Sequence, residues 1–206
     1  MRKAAFIDRD GTLNEMVYDA VHGIMDSPRR PEQVSLMKGA GEFLRRLRDE
    51  GYFIVVVTNQ PGIAKGTMTM SELDAVNRRL AELLEKDGGR WDDLRYCPHH
   101  PDPGPAGNPA FKADCDCRKP KPGMLFDAVK AHDLDTGASW MVGDGLVDIQ
   151  AGKAAGCRTV LVAKLKISQV EQFFDIEGVE PDAIAGNLKE AGDVILKGLK
   201  PGRRRE

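Results

Sequence analysis

Asp8 and Asp10 stand one residue apart where a short apolar run stops, in Asp8-Arg9-Asp10-Gly11-Thr12. A carboxylate can attack phosphorus and hold the phosphoryl group covalently, which splits one hard displacement into two easier ones. A second carboxylate beside it can protonate the leaving oxygen and later deprotonate water. Two like charges so close repel, and a divalent cation with oxygen ligands is the usual remedy. Gly11 accepts a positive φ and gives a ligand close access to the backbone. Asp-x-Asp alone also describes a solvated turn finished by Gly-Thr, so the phosphoryl-transfer reading depends on what else the chain brings to the same place.

Three further groups belong to that chemistry. Thr58 and Asn59 follow the run Phe53-Ile54-Val55-Val56-Val57, Asp144 and Asp148 follow Trp140-Met141-Val142-Gly143, and Lys119 and Lys121 precede an apolar segment at Gly123. A hydroxyl and a lysine can hold the charged equatorial oxygens of a phosphoryl group. Mg²⁺, bound by one or two carboxylates, a phosphate oxygen and waters, would offset the crowded negative charge. Singly, each has an ordinary explanation: a strand-end threonine, a solvated lysine, an acid at a helix N-terminus. Placed together at successive strand ends, they form an inventory for phosphoryl transfer.

A second cluster lies between them. Cys97-x-His99 and Cys115-x-Cys117 supply three thiolates and an imidazole, the donor set of a closed tetrahedral zinc site, with His100 as the rival ligand. The stretch 97–117 is proline-rich, without helical or strand periodicity, and cannot bury much apolar surface. Structural zinc contributes about 10–16 kcal/mol of apparent binding energy, enough to order such a loop. Reduced cysteines in an unstructured loop are the alternative. Cys157, at a helix end beside a strand, reads as a small core residue.

The elements that must position these groups follow from periodicity. Ala4–Ile7 and Phe53–Val57 are expected to be buried strands, the second a central parallel one because it is β-branched and continuous. Ala40–Glu50 carries Phe43, Leu44 and Leu47 at helical spacing and stops at Gly51. Ser71–Lys86 reads as a helix, with Ser71 as N-cap and Asp74 completing the capping arrangement. Trp91–Tyr96, Trp140–Val142 and Thr159–Val162 read as strands, Gly123–His132 and Asp148–Ala155 as helices. Ala183–Ala185 would be an edge strand before a helix over Leu188–Leu196, while Lys164–Glu180 is ambiguous. Leu13–Lys38, punctuated by Pro28 and Pro31, is a long loop of the kind that serves as a lid, and it should hang over Asp8. Strand and helix alternate without an internal repeat, so the expected fold is α/β: a Rossmann-like three-layer α/β/α sandwich around a parallel sheet. Ligands of such sheets bind at the carboxyl ends of the strands, where these groups converge.

Composition sets the remaining bounds. The chain has 206 residues, 41% hydrophobic and 30% charged, with a formal net charge of −2. That is one domain with a sizeable core, expected over 1–197, followed by a flexible tail over 198–206 whose Arg203-Arg204-Arg205 run is solvated. Near-neutral charge gives no reason to expect nucleic acid or a membrane surface as partner. The apolar run after Arg2 and Lys3 is too short for a signal peptide, and no segment approaches the roughly 20 apolar residues that span a bilayer. A cytoplasmic, monomeric protein acting on a small phosphorylated metabolite is the expectation.

Asp8-Arg9-Asp10-Gly11-Thr12, Val57-Thr58-Asn59-Gln60, Arg118-Lys119-Pro120 and Val142-Gly143-Asp144-x-x-x-Asp148 resemble the four motifs of haloacid-dehalogenase-superfamily phosphatases. Cys97-Pro98-His99-His100 with Cys115-x-Cys117-Arg118-Lys119-Pro120-x-Pro122-Gly123-Met124 is similar to the D-glycero-D-manno-heptose-1,7-bisphosphate 7-phosphatases and the related histidinol-phosphate phosphatases. The likeness covers about residues 3–163. It implies Asp8 as nucleophile and Asp10 as general acid/base, with Thr58 and Lys119 stabilising the phosphoryl group. It also implies Mg²⁺ on Asp8, the Asp10 carbonyl and Asp144, and substrate contacts from Asn59, Gln60 and Arg118. It favours His99 over His100 as the fourth zinc ligand, with His100 a neighbour or substrate contact.

The implied reaction is hydrolysis of the C7 phosphate through an aspartyl-phosphate. Histidinol phosphate is the rival substrate, and a non-catalytic, zinc-stabilised binding module the rival of another class. The loop 13–38 is longer than its counterparts, so Tyr18 and His22 need not match their substrate contacts, and Gly145 stands where lysine is common. No large cap domain is implied, so the Pro28–Pro31 loop, the Thr58–Met68 loop and the zinc-binding insertion should wall the pocket.

Overall fold

The β-branched run at the centre of the chain does become a strand buried on both faces. In the computed structural model, which describes residues 1–20, 23–163 and 178–197, β1 (Arg2–Ile7) and β4 (Phe53–Asn59) pair in parallel, with Ala4 opposite Phe53 and Ile7 opposite Val56. With β5 (Asp93–Cys97), β6 (Leu134–Gly143), β7 (Arg158–Val162) and β8 (Ala183–Ala185) they form a parallel sheet of six strands in the order β5-β4-β1-β6-β7-β8. The first strand of the chain is therefore central, and every carboxyl end of the sheet points to one rim.

Helices cover both faces. On one, α1 (Ala40–Asp49) contributes Phe43, Leu44 and Leu47, α2 (Met70–Lys86) contributes Val76, Leu80 and Leu84, and α5 (Leu188–Lys197) contributes Leu188, Val194 and Ile195. They pack on Ile7, Ile54, Val56 and Val142. On the other, Met124, Leu125 and Ala128 of α3 (Gly123–His132) and Ala151 of α4 (Leu146–Ala154) pack on Phe6, Val55, Val57 and Met141. Alternate residues of one strand thus serve two cores, and complete burial of each such aliphatic side chain stabilises by about 1.5–3 kcal/mol. This is the three-layer α/β/α sandwich expected from the alternation of elements.

Five local expectations need correction. The N-cap of α2 is Thr69, not Ser71: Glu72 donates its backbone N–H to Thr69 Oγ1 at 3.2 Å, and Thr69 N–H donates to Glu72 Oε2 at 2.7 Å. This is the complete Thr-x-x-Glu box, which outcompetes Ser-x-x-Asp because glutamate reaches back to the cap and aspartate is one methylene shorter. The α4 helix starts at Leu146, which makes Asp148 its third residue, and β6 starts at Leu134, six residues before the apolar run. β5 is shifted to end on Cys97, so its last residue carries the first sulfur. Within 13–38 the loop folds into a hairpin of β2 (Val17–Asp19) and β3 (Ile24–Asp26) followed by a 3₁₀ turn at Pro31–Gln33.

His22, most of the ambiguous stretch 164–180 and the tail 198–206 lie outside the described residues. Among the described residues, no helix is long and apolar enough to cross a membrane. Thr69→Ala should lower the unfolding free energy by about 1 kcal/mol, whereas Ser71→Ala should change it by less than about 0.5 kcal/mol. Urea midpoints of the two variants check this, and equal effects would reject the assignment of the cap.

Candidate active site

Asp8 follows the last residue of β1, Thr58 and Asn59 end β4, and Asp144 follows the last residue of β6, so three neighbouring strands deliver polar side chains to one rim. Lys119 arrives from the loop before α3. Its ammonium, 3% exposed, donates to Asp8 Oδ1 at 2.6 Å and to the Val57 carbonyl at 2.8 Å, and lies 2.6 Å from Asp148 Oδ1. The Asn59 side chain holds that loop. It accepts from the Lys119 backbone N–H and donates to the Lys119 carbonyl, both at 3.0 Å. Asp148, 2% exposed, also accepts the Gly145 backbone N–H at 3.0 Å, so the start of α4 fixes its carboxylate.

The carboxylate oxygens of Asp8, Asp144 and Asp148 lie within 4.8 Å of one another. Three negative groups face one ammonium. Burial first, then the charges of Asp148 and Asp10, push the Asp8 carboxyl up to about 8 against the pull of Lys119. Desolvation and the Asp148 charge push Asp144 up to about 6. The ammonium is held firmly protonated, because the two carboxylates outweigh its desolvation. This excess of charge on hard oxygen donors fits a divalent cation such as Mg²⁺. Gly11 makes room for the Asp144 carboxylate: φ is +83°, and a Cβ there would lie 2.1 Å from Asp144 Oδ2.

Asp10 is held by a different set of partners. Its Oδ1 accepts from Arg9 Nε at 3.1 Å and Asn14 Nδ2 at 2.9 Å; its Oδ2 accepts from Arg9 Nη2 and Ser27 Oγ, each at 2.9 Å, and Gln60 Nε2 at 2.7 Å. Burial would raise its pKa, but Arg9 and these hydrogen bonds outweigh it and hold the carboxyl below the usual range. Ser27 belongs to the segment after the hairpin, so the loop expected over Asp8 does reach the site, through Asp10. Thr58 Oγ1 is buried, accepts from Gln60 Nε2 at 2.9 Å, and is 3.5 Å from Asp10 Oδ2.

The second cluster assembles where β5 ends. Cys97 Sγ lies 3.4 Å from Cys115 Sγ and 3.8 Å from His99 Nδ1; Cys117 Sγ lies 3.2 Å from Cys115 Sγ and 3.4 Å from His99 Nδ1. A tetrahedron with arms of about 2.3 Å has edges of about 3.8 Å, so the four donors approach zinc geometry without forming a disulfide. The His100 ring is turned away from the cluster, and its Nδ1 accepts the Asp102 backbone N–H at 3.1 Å. Backbone pairing of His100 with Phe111 and Ala113 closes the loop, and Arg118 Nη1 donates to the His99 carbonyl at 3.3 Å.

The structure thus gathers Asp8, Lys119, Asp144 and Thr58 at one rim and His99 with the three cysteines beside it. Asn59 and Gln60, expected to face substrate, have their amides directed inward at Lys119 and Asp10. Sequence reasoning left Asp148 out of the ion-binding set, although the Asp144-x-x-x-Asp148 spacing was in view. It gave no part to Arg9, Asn14, Ser27 or Asn77, for which no spacing signal exists. Gly145, at the position where the resemblance expects a lysine, is the N-cap of α4, and Tyr18 is exposed on the hairpin. Cys157 is a buried core residue.

A family model described as HAD-hydrolase-like matches residues 116–191. The D-glycero-beta-D-manno-heptose-1,7-bisphosphate 7-phosphatase of Pasteurella multocida is 40% identical over 164 residues, 80% of this chain and 83% of that protein. The D-glycero-D-manno-heptose-1,7-bisphosphate 7-phosphatase of Chlorobaculum tepidum is 34% identical over 206 residues, 98% of each chain. Among solved structures, the D,D-heptose 1,7-bisphosphate phosphatase of B. bronchiseptica, complexed with magnesium and phosphate, superposes with a TM-score of 0.75 at 28% identity. The match covers 96% of this chain and 99% of that one. A HAD-like phosphatase from Mesorhizobium loti gives 0.76 at 32% identity, over 98% of this chain and 90% of that one.

The raised Asp8 and Asp144 carboxyls bind protons in the folded state that the unfolded chain releases, so they stabilise at low pH and that stability is lost as pH rises through about 6 and about 8. In magnesium-free buffer the urea midpoint should therefore fall between about pH 5 and pH 8. Saturating Mg²⁺, which favours the ionised carboxylates, should flatten the slope. A flat profile without the cation would contradict the charge assignment.

Proposed function

The chain belongs to the D-glycero-D-manno-heptose-1,7-bisphosphate 7-phosphatase family of haloacid-dehalogenase-like hydrolases, and we propose on that premise that it removes the C7 phosphate of D-glycero-D-manno-heptose 1,7-bisphosphate. The observation that carries the chemistry is the Asp8–Lys119–Asp148 ion cluster at the carboxyl rim of the sheet, open on the side where Asp144 stands.

Asp8 is the nucleophile. Lys119 fixes its Oδ1, which leaves Oδ2 to attack phosphorus in line as the bond to O7 breaks. Asp10 donates the proton that O7 takes up, and the sugar leaves as an alcohol. Asp10, now a carboxylate, then takes a proton from the water that attacks the aspartyl-phosphate, releasing inorganic phosphate and restoring Asp8. Thr58 Oγ1 and Lys119 Nζ hold the equatorial oxygens, Asn59 keeps Lys119 in place, and Arg118 meets the substrate outside the pocket. Asp8, the Asp10 carbonyl and Asp144 would hold Mg²⁺, with Asp148 behind them. When bound, that ion supplies positive charge to the phosphate oxygens and lets Asp8 ionise.

Cys97, His99, Cys115 and Cys117 would hold Zn²⁺ as a structural ion that orders 97–117, and the His99 carbonyl supports Arg118. Three free thiols in one donor set fit a reducing compartment, and the enzyme is assigned to the cytoplasm as a monomer with one domain over 1–197.

Asp8→Asn should abolish turnover while the circular-dichroism spectrum and unfolding midpoint stay close to the parent, because an amide cannot attack a monoester whose uncatalysed hydrolysis is among the slowest known. Appreciable turnover by the folded variant rejects the nucleophile. In the same assays kcat/KM on the heptose bisphosphate should exceed that on histidinol phosphate, and equally low values on both would remove the substrate assignment. Cys115→Ser should lose the zinc measured by atomic absorption and expose 97–117 to proteolysis while the sheet persists. Full zinc content in that variant would rule out the ligand set.

A further inference from the structure

Among the described residues, Arg9 is the largest with no solvent exposure. A buried guanidinium is stable only when paired and hydrogen-bonded, and its partners here are few. Nε and Nη2 form a fork onto the two oxygens of Asp10, while Nη1 donates to Asn77 Oδ1 at 2.7 Å. Asn77 is 6% exposed and lies on the face of α2 that otherwise buries Leu73, Val76, Leu80 and Leu84. An amide in that apolar stripe gives up packing that leucine would supply, and its oxygen is aimed at Arg9. The chain α2–Asn77–Arg9–Asp10 thus runs from a helix packed on the sheet to the carboxyl that handles the proton.

We propose that Arg9 and Asn77 are positioning residues for the acid/base, a fixed fork that keeps Asp10 Oδ2 turned toward Thr58 and the phosphate pocket. The inference rests on the reading of Asp10 as general acid/base. Two geometric facts support it. A two-point fork fixes the plane of a carboxylate, which one point charge cannot do. The donors on Oδ2 other than Arg9 are neutral groups: Ser27 beyond the hairpin, Gln60 after β4 and, at 3.5 Å, Thr58 Oγ1. The two hydroxyls can turn to accept when Oδ2 takes on a proton, while Arg9 cannot lose its own. As the phosphorus–oxygen bond breaks, its electron pair goes to the leaving oxygen, the proton moves there from Oδ2, and the new carboxylate charge falls on the Arg9 fork.

The test separates proton delivery from packing. Phenyl phosphate and 4-nitrophenyl phosphate have similar shape but different leaving-group basicity, so only phenyl phosphate depends strongly on a positioned acid. General acid catalysis is worth roughly 10²–10⁴-fold, and Asn77→Leu and Arg9→Met should each lower kcat/KM about tenfold more on phenyl phosphate than on 4-nitrophenyl phosphate. Arg9→Lys, which keeps the charge without the fork, should not restore the ratio. Equal losses on both substrates, or recovery by Arg9→Lys, would overturn the fork as a positioning device. Asn77→Leu keeps size on an apolar face and answers the question should Arg9→Met fail to fold. Asp10→Asn is the control: if it shows no preference between the two esters, the acid/base reading itself fails, and the fork with it.

Discussion

One buried ammonium holds this site together. Lys119 lies between Asp8 and Asp148 at 2.6 Å from each, and without it two carboxylates would face each other out of water at the rim of the sheet. Its position is set from three directions, by the Val57 carbonyl at the end of β4, by Asn59 on its backbone and by the start of α4 through Asp148. The ammonium is therefore a structural brace, and in the proposed reaction it is a phosphate ligand as well. That explains why its loop is latched to β4 rather than left to reach the pocket freely. A buried pair of this kind adds little net stability and imposes a geometry, which is what in-line attack requires.

The two carboxylates of the first motif are given opposite surroundings by a single turn of chain. Asp8 faces the negative cluster and is pushed up, whereas Asp10 is drawn back onto Arg9, Asn14, Ser27 and Gln60 and is held down. Without a cation this order is the reverse of the one the proposed roles need, and a divalent ion on Asp8 and Asp144 would favour the ionised form of Asp8. Gly11 permits the turn, since its positive φ and missing Cβ let Asp144 close over the backbone.

The insertions do different work at the same rim. Among the described residues, the segment that follows the hairpin of β2 and β3 meets the site through Ser27, which donates to Asp10. The cysteine-rich loop begins at the last residue of β5 and returns the chain through Arg118 to Lys119, so its fold sets where those two cations emerge. A loop with so little apolar surface needs an anchor other than a core, and four clustered donors provide one.

The sequence by itself determined the alternation of strands and helices, the continuous β-branched strand at Phe53–Val57, the polar groups at successive strand ends (Asp8, Thr58 and Asp144) with Lys119 before α3, and the donor set of 97–117. These are carried by local periodicity, strand-end placement and residue type, which need no third dimension. Cap choice was local too, yet Thr69 with Glu72 was passed over for Ser71 with Asp74, because one methylene decides which acid reaches back. Only the tertiary structure decided which groups meet across the chain. Asn59 faces Lys119 and not the substrate, Asp148 closes the ion cluster, and Asn77 on α2 holds Arg9 against Asp10. Asn59 and Lys119 are 60 positions apart, Arg9 and Asn77 are 68 apart, and Asp148 meets Lys119 from a different helix; side-chain pairing at that range depends on how helices seat on the sheet, which no spacing in the sequence encodes.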